Sequence, residues 1–382
     1  MRLLFVSHSF PPVDRPLANV GGMQRVATEL FEAFGHMEDV ERHGHLLRTS
    51  WRMTHARIPL FLWRTRQRLR QVARDRSVDV VLFSSMVTAA AAAWVQPALR
   101  QSGIRTAAIV HGQDVTTPFG PYQRFVPRVF DALDAVLPVS RATGAQCTER
   151  GLPDAKLHVV PNGVKLDRFA PLTSRPAMRA ELVRALGDPA HPLPESALLL
   201  CSVGRQVKRK GFAWFVEQVM PALPPDVHYW LAGDGPETPA IQAAAARLGL
   251  GDRVRLLGRV SDADLMRLYR GADLFVMPNI PVPGTMEGFG VVMLEAGISG
   301  LPAIAARLEG IQDVVAEGEN GHFVESGDAG GFIEAILRYD RDRHALARAS
   351  ERAAAYTRET FSWEAVARRY VDVLGQLSTV AS

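Results

Sequence analysis

The stretch ALLLCSVGRQVKRKG, from Ala197 to Gly211, decides how the rest of the chain is read. It opens as a nearly continuous apolar run. A strand of that kind is buried on both faces, the condition of a parallel sheet covered by helices. The run ends at Gly204, and Arg205, Lys208, Arg209 and Lys210 follow before Gly211 opens an amphipathic helix. Positive charge just beyond the carboxyl end of a strand is where a doubly wound domain grips an anion. An arginine can fork a diphosphate, and a lysine supplies a mobile point charge. A solvated basic turn explains the same residues equally well.

Working outward, the same pattern recurs on both sides. RLLFVSHS, DVVLFSS, RTAAIVHG, DAVLPVS and KLHVVPNG read as strands in the first half. VHYWLAGDG, VRLLGRV, ADLFVMPN and LPAIAA continue the series begun by ALLLCSVGR. Helical patterns lie between them. Two such series in succession predict an α/β protein of two doubly wound domains. The segment from Leu166 to Pro194 carries five prolines and reads as the junction. We therefore expect a domain over 1–170, joined by a C-terminal helix at about 363–382, and a second over 171–362.

Hydrophobic residues make up 47% and charged residues 22% of the 382 positions, which excludes a disordered chain and a disulfide scaffold. Cys147 and Cys201 lack metal-ligand spacing and read as free thiols in a reducing compartment. The N-terminal run has no cleavage site after it, so a cytoplasmic location is expected. Val80 to Leu99 is 20 residues without a charge, but its Ser84, Ser85 and Pro97 favour a strand followed by an Ala-rich helix over a membrane span.

The strand ends hold the informative residues. In MEGFGVVMLEAGISGLP, Met286 to Pro302, Glu287 precedes a Gly288-Phe289-Gly290 turn that opens a helix, and Glu295 lies eight residues on. The helix N-terminus suits a phosphate or a sugar hydroxyl cluster. Read as two helical turns apart on nearly one face, the two carboxylates can hold different parts of one elongated ligand. A helix-end acid with a solvated glutamate is the plain alternative. Gly21-Gly22 lies between the first strand and a helix, where a backbone can approach a phosphate closely, but it is not a dinucleotide fingerprint. In AIVHGQDV, His111 and Asp114 follow a strand and are expected to face the cleft, although a hydrogen-bonded surface histidine is the commoner case. No zinc motif, P-loop or nucleophile elbow is present.

Taken in order, Gly-Gly, His-Gly-x-Asp, PNGV (Pro161 to Val164), GR with KG, AGDGP (Ala232 to Pro236) and E-G-F-G with a second glutamate resemble a retaining GT-B glycosyltransferase of family 4. The resemblance runs from Gly21 to about Phe323 and implies two Rossmann-like domains with parallel sheets facing an inter-domain cleft. It also implies a retaining transfer of a hexosyl unit from a UDP- or GDP-sugar to an acceptor hydroxyl, in glycan, polysaccharide or glycolipid assembly. His111, Arg205, Lys210 and Glu287 would then be catalytic. Arg205 and Lys210 would neutralise the donor diphosphate, and Gly21 and Gly22 would approach it from the first domain. Glu287 would touch the sugar hydroxyls, helped by the backbone of Gly288, Phe289, Gly290 and Val291. Glu295 would accept from the ribose, and Val260 would contact the base. His111 would lie on the acceptor side. No metal or other cofactor is implied, since the nucleotide-sugar is a substrate. A non-catalytic sugar-nucleotide-binding protein, a sugar-phosphate synthase and a phosphorylase are the alternatives on the same fold.

The net charge of +4 is unevenly spread, because ten arginines and one acid between Arg42 and Arg76 give +9 there and leave −5 elsewhere. Within IPLFLWRTRQRLRQVAR, Pro59 suits a first helical turn, and Ile58, Phe61, Leu62, Leu69, Val72 and Ala73 form one apolar stripe. Arg64, Arg66, Arg68, Arg70 and Arg74 surround it. Either the stripe packs on the first sheet, or this basic amphipathic helix lies on an anionic membrane, peripheral to its inner face, where a lipid-linked acceptor would be reached. Nucleic acid is not expected, because no recognition module accompanies the arginines.

Overall fold

A computed structural model of the chain describes residues 1–14, 22–166 and 175–379. Gly21 lies outside them. The chain divides into two compact units, Met1–Gly163 with Trp363–Ser382, and Val164–Ser362. The break after Gly163 comes earlier than the proline-rich segment, whose described part belongs to the second unit.

The first unit holds five strands: β1 (Arg2–Phe10), β2 (Glu41–Arg48), β3 (Val80–Phe83), β4 (Arg105–Val110) and β5 (Ala135–Pro138). They pair in parallel in the order β2-β1-β3-β4-β5. The second holds β6 (Leu198–Val203), β7 (Val227–Ala232), β8 (Val254–Gly258), β9 (Leu274–Met277), β10 (Ala303–Ala306) and β11 (Gly321–Val324). These are also all parallel, in the order β11-β10-β9-β6-β7-β8. Strand order reverses between β1 and β3 in one sheet and between β6 and β9 in the other. The crevice beyond the carboxyl ends at such a reversal is the ordinary ligand position in open α/β sheets. Every residue of β3, β6, β7, β9 and β10 is buried, as the apolar runs require.

Five elements depart from the sequence reading. ERHGHLLR forms β2, an edge strand of the first sheet whose half-exposed residues admit charges and a glycine, and GHFV forms β11, an edge strand of the second sheet. KLHVVPNG makes only a bridge from Leu157 to Val136 before leaving the sheet. The alanine run after β3 is not one helix: a short helix at Met86–Ala89, capped by Ser85, gives way to Gln96–Ser102. Pro59 is not in a first turn. The helix runs Trp51–Asp75 and takes Pro59 into its interior. A proline there removes the donor for the carbonyl four residues back. That residue is His55, which is exposed, so water can replace the donor.

This long helix also answers which way the apolar stripe faces. Phe61, Leu69, Val72 and Ala73 join the core of the first unit, and Thr65 is fully buried beside them. The stripe packs on the sheet. The arginines therefore point outward, with Arg64, Arg70 and Arg74 exposed and Arg66 and Arg68 half-buried.

The final helix, Trp363–Thr379, is held in the first unit. Trp363 Nε1 donates to Glu29 at 2.5 Å. The Trp363 ring fills the space beside Gly163, where a Cβ would lie 2.6 Å from it. Tyr370 is fully buried with its ring centroid 6.3 Å from that of Phe34, edge to face. Its hydroxyl is buried without a hydrogen-bond partner. Truncating a buried aromatic costs about 3–5 kcal/mol, whereas removing an unpaired buried hydroxyl relieves a desolvation penalty. Tyr370→Ala should therefore lower the urea midpoint of the first unit and expose 363–379 to hydrogen exchange. Tyr370→Phe should match or exceed the wild-type midpoint in the same titration.

Candidate active site

The site grows from the ends of four neighbouring strands of the second unit. After β6 the chain turns at Gly204, and Arg205 is exposed with no ion-pair partner among the described residues. Gln206, by contrast, is fully buried. Its Nε2 donates to the Gly233 carbonyl at 2.9 Å, and its Oε1 accepts from Thr238 at 2.6 Å, which ties the basic loop to the loop after β7. Lys208–Lys210 form one tight turn that ends at Gly211. Gly211 has φ +67°, and a Cβ there would fall 1.9 Å from the carbonyl oxygen of Pro278, so only glycine lets the two loops approach. The same approach is clasped by the Ile280 N–H, which donates to the Arg209 carbonyl at 3.0 Å.

That close packing carries Lys210 inward. Its Nζ lies 2.6 Å from Glu287 Oε2, with both side chains about nine-tenths buried (8% and 11% exposed). Arg209 Nε stands 3.9 Å from the same oxygen, and Asn279 Nδ2 donates to it at 3.4 Å. Burial pushes the Glu287 carboxyl up. The Lys210 ammonium, then Arg209 and the Asn279 amide, outweigh that and hold it below the ordinary carboxylate range. The Glu287 backbone is fixed from the loop after β10: its N–H donates to the Glu309 carboxylate, and its carbonyl accepts from Gly310 N–H at 3.1 Å. Glu309 has φ +46° and, being half-buried, a carboxyl raised by burial.

Gly290, at φ +88°, is the N-cap of the helix Val291–Ile298. The helix thus starts four residues after Glu287. Glu287 and Glu295 are not two helical turns apart on one face, because the helix begins at Val291, after the Gly288–Gly290 turn. Glu295 is 4% exposed, and Tyr269 O–H donates to its Oε2 at 3.0 Å. Val260 is half-buried in the turn between β8 and the helix Asp262–Gly271. Gly288 is half-buried, and Phe289 packs against Phe361 with centroids 6.3 Å apart.

His111 and Gly22 belong to the first unit, at the carboxyl edge of its sheet. Gly22 opens the helix Gly22–Phe34 and is exposed. His111 follows β4. Its Nε2 lies 3.0 Å from the Ser84 carbonyl, which can only accept, so Nε2 carries the proton and Nδ1 is left for a ligand. Asp114 does not orient the imidazole. It accepts from the backbone N–H of His111 at 2.9 Å and of Met86 at 3.4 Å. His8, at the end of β1, stands 3.3 Å from Ser85 Oγ and is pushed down to about 4 by burial and by the His111 charge. Among the described residues no three His, Cys, Asp or Glu side chains gather to hold a metal.

The sequence reading brought Arg205, Lys210 and Glu287 to one sheet edge. It missed Gln206, Asn279 and Glu309, which fix their loops and the Glu287 carboxylate, and Tyr269, which holds Glu295. Asn279 could have been found, since it follows β9 as Arg205 follows β6. Glu309 could not, because a lone glutamate twenty-two residues from its partner carries no pattern.

A buried ion pair cut at one partner leaves an uncompensated charge worth about 3–5 kcal/mol. Glu287 in the wild type has a depressed carboxyl, so its stabilisation is present above the ordinary range and lost as pH falls through it. In Lys210→Met the ammonium is gone and burial dominates, so the carboxyl rises and acid should stabilise the variant instead. Thermal midpoints of the second unit between pH 4 and 8 should therefore slope in opposite directions for the two proteins. Lys210→Met/Glu287→Gln should recover most of the loss.

Family models match both units: the glycosyltransferase family 4 model over residues 20–168, and the glycosyl transferases group 1 model over residues 197–342. A GDP-mannose-dependent alpha-(1-6)-phosphatidylinositol monomannoside mannosyltransferase of Mycobacterium tuberculosis is 30% identical over 316 residues, 80% of this chain and 78% of that one. A lipopolysaccharide core biosynthesis glycosyltransferase of Rhizobium meliloti, LpsE, is 36% identical over 181 residues, 47% of this chain and about half (51%) of that one. Among solved structures, Anabaena HepE in complex with UDP superposes with a TM-score of 0.73 at 18% identity, over 98% of this chain and 100% of that one. Two parallel Rossmann-like sheets of this order are the GT-B fold, and the chain belongs to the family 4 glycosyltransferases.

Proposed function

We propose that this glycosyltransferase moves a hexosyl unit from a UDP- or GDP-sugar to an acceptor hydroxyl, with retention at the anomeric carbon and without a metal. The observation that carries the reading is the buried Lys210–Glu287 pair beside the exposed Arg205, which has no ion-pair partner among the described residues, at the β6/β9 reversal. Lys210, held in place, and Arg205 beside it can take the negative charge that grows on the departing diphosphate. One such group can be worth about 10²–10³ in rate. Glu287 keeps Lys210 from being a bare buried charge before the donor arrives, and its carboxylate accepts from sugar hydroxyls afterwards. The backbone of Gly288, Phe289, Gly290 and Val291 offers further donors at the helix start. Glu295, fixed by Tyr269, accepts from the ribose, and Val260 meets the base.

The chemistry balances with these groups alone. The anomeric carbon–oxygen bond to the β-phosphate breaks and a bond to the acceptor oxygen forms on the same face. The acceptor proton passes to the leaving phosphate oxygen. No protein nucleophile is needed, which is why a single carboxylate engaged with a lysine suffices. The mannosyltransferase relative, named as GDP-mannose-dependent, supports the GDP arm of the donor choice, and the UDP complex of HepE supports the UDP arm.

The relatives are named for glycolipid and lipopolysaccharide acceptors, which supports a lipid-linked acceptor here. The outer face of the helix Trp51–Asp75 supports it too. Met53, Leu60 and Trp63 are exposed at 46%, 52% and 55%, with Arg64, Arg66, Arg68, Arg70 and Arg74 along the helix. No helix among the described residues is long and apolar enough to cross a membrane. We place the protein peripherally on the inner face of an anionic membrane.

Arg205→Ala, which removes an exposed side chain, should keep its thermal midpoint and lose at least tenfold in transfer. Unchanged transfer would end the diphosphate assignment. A thermal-shift screen against UDP, GDP and ADP should single out one base. The product anomer read by NMR should match the donor, and the opposite anomer would end the retaining assignment. Vesicles rich in anionic lipid should sediment the protein at low salt and release it at high salt, and Trp63→Ser should weaken that sedimentation.

A further inference from the structure

The long basic helix has a second end. Helix Trp51–Asp75 follows β2 and leads into β3, so its last turns lie at the amino edge of the sheet, opposite the edge that carries His111. The two edges are separated by the strand length, roughly 13–20 Å. At that far edge lies a recess of about 540 Å³ between the helix and Gln96–Ser102. Arg70, Arg74 and Arg76 line it, together with Gln67, Gln101 and Ser102.

Three features set this recess apart from a solvated basic face. None of the three guanidiniums forms an ion pair among the described residues, although other surface arginines of this unit do, as Arg2 with Asp79 and Arg368 with Asp39. The nearest acid in sequence, Asp75, is exposed and does not line the recess. Arg76 ends the helix in the left-handed conformation, φ +46° and ψ +39°. That position ordinarily takes glycine or asparagine, because a larger side chain is strained there. An arginine in its place trades backbone comfort for a third charge at the rim.

We propose that this recess is a phosphate-binding site, separate from the donor site, that takes a ligand with two or more phosphate charges. Three fork-shaped donors with no carboxylate among them match phosphate oxygens in number and geometry. The volume admits a diphosphate or a phosphorylated headgroup rather than a single ion. The source is either a free polyphosphate or the headgroups of an anionic bilayer, and the chemistry is the same for both.

The test uses hydrogen-exchange mass spectrometry on the full chain with inorganic pyrophosphate, because it reports where the anion binds. Protection is expected over 67–78 and 96–103. Peptides over 204–211 report the donor site in the same run. Arg70→Gln/Arg74→Gln should lose the first protection and keep the second. Arg76→Gly should weaken pyrophosphate binding several-fold while its thermal midpoint stays level or rises, a combination that a merely structural arginine would not give. Phosphatidylglycerol and phosphatidylcholine vesicles then separate the sources. Phosphatidylglycerol protecting 67–78 in the wild type but not in the double variant assigns a headgroup. Protection by pyrophosphate alone assigns a soluble ligand. Protection confined to 204–211 with pyrophosphate, and none over 67–78 with vesicles, overturns the proposal.

Discussion

Burying an ammonium against a carboxylate is the constraint around which the second unit is organised. At 2.6 Å the Lys210–Glu287 attraction is on the order of 6 kcal/mol at an effective dielectric of about 20. Desolvating the two ions costs several kcal/mol each. The pair therefore contributes little to stability, and an apolar pair of the same volume would serve the fold as well. What it supplies is a lysine whose charge is held in place and neutralised by a carboxylate. Such a residue can meet charge as it develops without first reorganising, which is how fixed dipoles and cations stabilise transition states.

The surrounding backbone exists to keep that pair in register. Gln206 binds the loop after β6 to the loop after β7, and Glu309 binds the loop after β9 to the loop after β10. Gly211 presses against the Pro278 carbonyl, so the β6 and β9 loops cannot part without losing both the contact and the Ile280–Arg209 hydrogen bond. Lys210 and Glu287 thus come from the ends of two different strands, β6 and β9, and the backbone beside each is fastened to a neighbouring strand's loop. A parallel sheet makes this possible, because all its carboxyl ends lie on one edge.

The sequence made the architecture legible wherever a strand is buried on both faces. VVLF, LFVM and AIAA can be nothing but central strands, and they set the two-sheet reading. It was silent where a strand is an edge: ERHGHLLR has the composition of a surface loop because only part of it is covered. Periodicity also misplaced Pro59, since the helix extends two turns upstream through residues that carry no apolar stripe. At the site, charges next to strand ends were readable, whereas the residues that orient them were not. Asn279, Glu309 and Tyr269 act through the fold, and nothing local distinguishes them from surface polars.

The two units put their charge to different uses. The second unit carries as many lysines and arginines as the first but spreads them along the chain, and the innermost, Lys210, is neutralised by a carboxylate. In the first, ten arginines crowd one segment with a single acid, and a field of that size works against the compact state by self-repulsion. The helix Trp51–Asp75 bears it because Phe61, Leu69 and Val72 anchor it in the core independently of its charges. Anchoring by one face leaves the opposite face free of any structural duty. That face carries Arg70, Arg74 and Arg76 without ion-pair partners among the described residues and accepts a left-handed backbone at Arg76, features that folding does not require. The Lys210–Glu287 cluster of the second unit shows the same feature from the other direction, since it accepts a buried ion pair that folding alone would not favour.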